Sequence, residues 1–268
     1  MSLILLLFVV AGAILSLVPM YWAIINSFQP NAIAMQTPPD LFPSVFILDN
    51  YKYLFGETNA LRWFVNSTAI SGLSALIIVY FSALAGYPLA KKKFPGVKTL
   101  FLIVLAFMTI PNEVLLYPLF MMMNKLNLYD SYLGILLPTL AYPFAVFLMR
   151  QFISTVPSEI FDAAEIDGCS PLGIFHRILL PIIKPGIGAL AIFAFVQCWN
   201  NFIWQLIITA SDEMKTLPLG VASISMEGVT NYGYLMAGAT FGMFPMIVIF
   251  ILFQGYFVSG ITMGSIKG

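Results

Sequence analysis

Six long stretches of this chain are almost free of charge, and they dictate the solvent it folds in. They run at about residues 3–27, 64–90, 99–123, 131–149, 185–210 and 235–258, and the third alone holds an acid, Glu113. Crossing a bilayer takes roughly 20 mostly apolar residues. Backbone groups in lipid must pair within their own segment, so continuous apolar runs of this length predict helices. A membrane β-barrel would show alternating segments of about ten residues instead. The expectation is an all-α integral membrane protein of about six transmembrane helices, forming one domain over residues 1–268.

Composition agrees. Hydrophobic residues make up 60% of the chain and charged residues 9%, against about 25% charged in a typical soluble domain. The first 26 residues carry no charge. A secretory signal would begin with a basic region, so this segment reads as a span. Lys91, Lys92, Lys93, Lys98, Arg150, Arg177, Lys184 and Lys267 fall in one set of loops, and Lys52, Arg62, Lys125 and Lys215 in the other. The richer set belongs in the cytoplasm, which puts both termini inside. The segments 28–61, 124–130 and 211–234 then lie outside.

Several function classes lose support at this stage. Twelve basic residues balance twelve acidic ones, so no basic surface for nucleic acid is expected. Cys169 and Cys198 are ordinary small side chains with no metal-ligand spacing. His176 is the sole histidine, which excludes a two-histidine zinc helix, and no nucleophile elbow occurs. No catalytic or metal-binding residue is expected. Gly96-Val-Lys-Thr99 lacks the upstream glycine of a phosphate loop, so the chain is not expected to hydrolyse ATP itself. A secondary carrier would need coupling acids inside its spans, and Glu113 is the one candidate; its other reading is a residue at the membrane interface.

The most informative segment joins spans four and five: Val156-Pro-Ser-Glu-Ile-Phe-Asp-Ala-Ala-Glu-Ile-Asp-Gly-Cys-Ser-Pro-Leu-Gly-Ile-Phe-His-Arg-Ile-Leu-Leu-Pro181. Two short helices are expected. Ser158 is placed to cap the first, and Gly168 suits a left-handed turn after it. Ser170 is placed to cap the second, with Pro171 in its first turn. Ile160, Phe161 and Ala164 alternate with Glu159, Asp162 and Glu165, a pattern that buries a small apolar face in a partner and offers acids to its bases.

The spacing Asp162-Ala-Ala, Gly168, Ile178 and Leu180-Pro181 resembles the EAA motif of binding-protein-dependent ABC importer permeases. Asp162 stands where that motif has glutamate, one methylene shorter. Pro157-Ser-Glu-Ile, Ile166-Asp-Gly, Tyr87-Pro-Leu-Ala, Phe94-Pro-Gly96, Trp199-Asn-Asn-Phe-Ile-Trp204 and the closing Gly260–Gly268 are similar to the carbohydrate branch, maltose-permease type. The resemblance implies a type I importer domain in a prokaryotic inner membrane, with residues 156–181 as the coupling loop. Asp162, Ala163, Ala164, Glu165 and Gly168 would contact an ATPase subunit, and Lys267 in the tail would reach the same subunits. The implied partners are a second homologous permease, two ATP-binding subunits that hold the ATP and magnesium, and an extracytoplasmic binding protein that contacts residues 211–234. The implied cargo is a carbohydrate, with a glycerophosphodiester or another small solute as the alternative.

Span five adds Gln197, Asn200, Asn201 and Trp204. Positions four apart share a helix face, so these amides and the indole either line a path for a neutral polyol or bond neighbouring helices. Gly238-Ala-Thr-Phe-Gly242 is a small-residue helix-packing pattern.

Overall fold

The computed structural model describes residues 3–34, 42, 45–226 and 231–262, with side chains of 226 and 256–262 excepted. All regular structure among them is helical. In chain order the helices are α1 (Leu3–Ser27), α2 (Asn31–Ala34), α3 (Asp49–Gly56), α4 (Ala60–Lys91), α5 (Val97–Phe107), α6 (Asn112–Lys125), α7 (Tyr132–Thr139), α8 (Pro143–Ser154), α9 (Ser158–Ile166) and α10 (Pro171–Ile174). A π-helical turn, Phe175–Leu179, follows; then come α11 (Leu180–Ile182), α12 (Lys184–Trp199), α13 (Phe202–Ile208), a 3-10 turn at Asp212–Met214, α14 (Leu217–Met226) and α15 (Tyr232–Thr262).

Among the described residues, three helices are long and apolar enough to cross a membrane alone: α1, α4 and residues Tyr232–Gly255 of α15. The remaining candidates are bent pairs. α5 and α6 meet at 96°, α7 and α8 at 46°, and Pro171–Ile182 meets α12 at 82°, which allows as many as six crossings. The uninterrupted spans expected at 99–123 and 131–149 are therefore broken inside, and the one expected at 185–210 is interrupted between α12 and α13. Pro111 disfavours helical geometry at Ile110, and Pro143 does so at Tyr142, which has φ −119° and ψ 85°. The third run breaks at Asn200–Asn201 without a proline. Asn201 has φ −76° and ψ 77°, and asparagine competes with the helix for its own backbone groups.

The chain divides into two compact units, Met1–Ser67 with Ser211–Met246 and Thr68–Ala210 with Ile247–Gly268. In the first unit, Trp63 is 2% exposed and its indole donates to the Asp212 carbonyl at 2.9 Å. Asn66 donates to the Glu213 and Lys215 carbonyls, both at 2.8 Å, and Asn50 to those of Ser27 and Gln29, both at 2.9 Å. Buried amides thus tie irregular chain to helices, as unpaired carbonyls require. The Gly238–Gly242 pattern packs here: a Cβ on Gly238 would lie 2.6 Å from the Val221 side chain. Val221 belongs to α14, so glycine permits the close approach of α15.

In the second unit α8 packs on α5 and α12, while α13 packs on α6 and α7. Ile70, Met123, Ile135, Leu136, Trp204 and Ile208 form a buried cluster. The Trp204 indole donates to the Gly134 carbonyl at 3.2 Å, which satisfies the one polar group that this large side chain brings into the core.

Candidate functional site: coupling loop and broken-helix cavity

The loop between α8 and α12 begins at Pro157, whose φ of −58° and ψ of 138° start α9 without a side-chain cap. Ser158, expected as that cap, is instead the first helical residue. Gly168 has φ +77°, the left-handed conformation anticipated for it, and α9 stops there because residues with a Cβ avoid that region. Ser170 caps α10 as expected, its side chain accepting from the Gly173 N–H at 3.1 Å.

The two faces of α9 differ sharply. Phe161 is 4% exposed and Ala164 5%. Phe161 packs 5.6 Å from the Tyr87 ring centroid, and Tyr87 in turn lies 6.3 Å from Phe175. Their apolar face is buried inside the chain's own second unit, where the sequence pattern alone had pointed it toward a partner. The opposite face carries Asp162, Ala163 and Gly168, all exposed. Ile166 is 86% exposed and Leu172 61%. Single exposed apolar side chains are ordinary; these two stand on the same short loop as the exposed acids Glu159, Asp162, Glu165 and Asp167.

Glu165 has a partner within the chain. Its carboxylate pairs with the Lys92 ammonium just beyond α4, so it fastens the loop to the chain itself. The hydrogen bond to Glu165 holds the Lys92 pKa above the ordinary lysine value, outweighing partial burial, with the nearby Asp162 charge adding to the rise. Next to it, the Lys91 ammonium donates to the Ser154 carbonyl at 3.2 Å and the Val156 carbonyl at 2.5 Å. The Ser154 carbonyl closes the last turn of α8 and Val156 follows two residues beyond it, and a lysine there also suits the helix dipole. From sequence alone, Lys91 and Lys92 mark only the side of the membrane richer in basic residues. Nothing in their spacing identified the partners 63 to 73 residues away. Lys267 lies outside the described residues.

A cavity of about 610 Å³ opens in the second unit. Its wall takes Phe107, Met108, Ile110 and Asn112 from the α5–α6 break, Thr139, Ala141, Tyr142 and Pro143 from the α7–α8 break, and Gln197, Cys198, Asn201 and Trp204 from the α12–α13 break. All three helix breaks therefore meet one cavity. Irregular backbone at membrane depth is tolerated where it lines such a space.

Of the path residues named from sequence, Gln197, Asn201 and Trp204 share this wall, and Asn200 and Glu113 do not belong to it. Asn200 sits in the break itself, where the loss of helical phase separates it from Trp204. Glu113 is exposed in the first turn of α6. Asn112, Thr139 and Tyr142 join the site without having been singled out; the prolines beside Asn112 and Tyr142 were the available signal.

A smaller, polar cavity of about 270 Å³ lies in the first unit among Tyr53, Glu57, Asn59, Trp63, Asp212 and Ser223. Asp212 accepts from Asn59 at 2.5 Å and pairs with Lys215 at 2.8 Å. Burial pushes the Asp212 carboxyl up, but those partners outweigh it and hold the pKa below the usual value.

Residues 78–263 match the family described as binding-protein-dependent transport system inner membrane components. The arabinooligosaccharides transport system permease protein AraQ of Bacillus subtilis is 39% identical over 265 residues, covering 98% of this chain and 94% of AraQ. AraQ of Halalkalibacterium halodurans is 40% identical over 259 residues, covering 96% and 93%. The fold is shared with the solved bacterial ABC transporter involved in import of the acidic polysaccharide alginate, at a TM-score of 0.81 and 19% identity, over 96% of this chain and 99% of that one. A multi-pass helical chain with a loop of this pattern, matched over most of its length, belongs to the inner membrane components of binding-protein-dependent ABC transport systems.

Proposed function

We propose that this chain is the permease subunit of an ATP-driven importer that moves an oligosaccharide from an extracytoplasmic binding protein into the cytoplasm. The observation that carries the sugar reading is the cavity: amides, hydroxyls and aromatic rings converge there from three broken helices. Amides both donate to and accept from hydroxyls, and ring faces pack on the apolar faces of sugars. The relatives named for arabinooligosaccharides support the same class.

In this reading a second permease of similar fold completes the path, and two ATP-binding subunits dock on the cytoplasmic loops. The exposed face of α9 and α10, with Asp162, Ala163, Ile166, Gly168 and Leu172, contacts one of them. ATP and magnesium stay on those subunits, and both termini are cytoplasmic. ATP-driven closure below shifts the loop, and the internal fastening by Lys92 and Glu165 passes that shift to α4. For coupling to work, the loop must dock with different free energy in the two ATPase states.

The test is ATP hydrolysis and uptake by the reconstituted complex with its binding protein and arabino-oligosaccharides, wild type against Asp162→Lys. Sugar-stimulated hydrolysis that falls at least tenfold in the variant, with assembly intact, is expected. Unchanged hydrolysis and uptake in the variant would remove Asp162 from the docking surface. Absence of stimulation by any oligosaccharide in the wild type would overturn the sugar assignment.

A further inference from the structure

We propose that the cavity of the second unit accepts uncharged saccharides and rejects those bearing a carboxylate or sulfonate, with Asn112, Gln197 and Asn201 as the residues that read them. The inference rests on the sugar-permease reading above and adds the charge class of the cargo.

The wall of this cavity carries no formal charge. Its polar side chains are the three amides, the Thr139 and Tyr142 hydroxyls, the Cys198 thiol and the Trp204 indole. The nearest ionisable residues in sequence, Glu113 and Lys125 on α6, stay out of the lining. An anionic group entering here would leave its water shell without meeting a cation, and unpaired charges are excluded from such sites far more strongly than hydroxyls.

The backbone makes the same selection. Helix N-termini by themselves favour anions, since their free N–H groups and dipoles point outward. Each break here, however, brings two ends to the wall. The ends of α5, α7 and α12 stand beside the starts of α6, α8 and α13. Pro143 opens α8 without an N–H, and the N–H groups of Met108, Ile110, Tyr142, Asn201 and Phe202 already donate to nearby carbonyls, which leaves the breaks with fewer free donors for an anion. A surface that both donates and accepts, with no net charge, matches a hydroxyl, which does both as well. The volume of about 610 Å³ falls within the range of small-ligand sites.

The test places a reporter in the cavity. Ala141 is exposed and lines the wall. In the complete complex, Cys169→Ser and Cys198→Ser remove the chain's two cysteines, and Ala141→Cys is then labelled with a maleimide. A neutral trisaccharide is expected to slow labelling, and the same trisaccharide oxidised to its aldonate to do so at least tenfold less well at equal concentration. Adding Asn112→Lys is expected to bring protection by the aldonate up to that of the neutral sugar. Equal protection by both sugars without that change would overturn the proposal. Protection by neither sugar would overturn it too; if the same complex still imports the neutral sugar, the permease reading stands and only this cavity loses its role.

Discussion

The Lys92 ammonium and the Glu165 carboxylate, 73 residues apart in sequence, close an ion pair that ties the end of α4 to the loop between α8 and α12. Both side chains are about half exposed, at 40% and 47%. Exposed pairs contribute about 1 kcal/mol or less to stability, so the pair positions the loop more than it holds the fold.

Reversing either charge, with Lys92→Glu or Glu165→Lys, is therefore expected to leave assembly intact and to lower sugar-stimulated ATP hydrolysis about three- to tenfold. The double reversal is expected to recover most of it. Lys92 has a raised pKa, so its contribution is complete below the unfolded lysine value of about 10.4. It is lost only as pH rises through the higher folded value. Coupling by this pair should accordingly be constant from pH 6 to pH 9, checked by hydrolysis profiles of the wild type and the double reversal.

Gly168 occupies φ +77° with open space around its Cα. Space is not the obstacle to substitution there; backbone strain is, at roughly 1–2 kcal/mol for an ordinary L residue and less for asparagine. Gly168→Asn is expected to retain most uptake, Gly168→Val to lose the larger part, with equal amounts of each in the membrane. Equal uptake by the two variants would show that the left-handed turn is dispensable.

Phe161 and Ile166 sit on opposite faces of α9 and should fail differently. Removing the buried Phe161 ring with Phe161→Ala costs about 3–5 kcal/mol, the usual range for a buried phenylalanine, and lowers the midpoint of thermal unfolding. Ile166→Ser touches an 86% exposed side chain, and its effect on the midpoint should be slight. Its loss is expected in ATPase-subunit binding, measured by co-purification.

In the first unit, Asp212 has a lowered pKa through Asn59 and Lys215. Its stabilising share is present above the unfolded value of about 3.9 and disappears as pH falls through the lower folded value. Asp212→Asn is expected to weaken the unit at neutral pH while flattening the dependence below pH 4. Unfolding midpoints of the two proteins across pH 3 to 7 measure it.

The sequence by itself determined the solvent, the helical class and the turn chemistry of the loop between α8 and α12. Long apolar runs have one solution in lipid, and the loop's turn chemistry is local: Gly168 and Ser170 act on residues within four positions of themselves. Tertiary structure alone decided which faces and residues are available. Phe161 and Ala164 look as apolar in sequence as Ile160 and Ile166, but packing within the second unit, with the Tyr87 ring of α4 against Phe161, buries only the first pair. Glu165 looks as free as Asp162 until Lys92 arrives from α4. The cavity is the clearest case. Pro111, Pro143 and Asn200–Asn201 are separate local breaks, and only packing of α5–α8 with α12 and α13 brings them to one wall, because that juxtaposition depends on contacts between residues far apart in the chain.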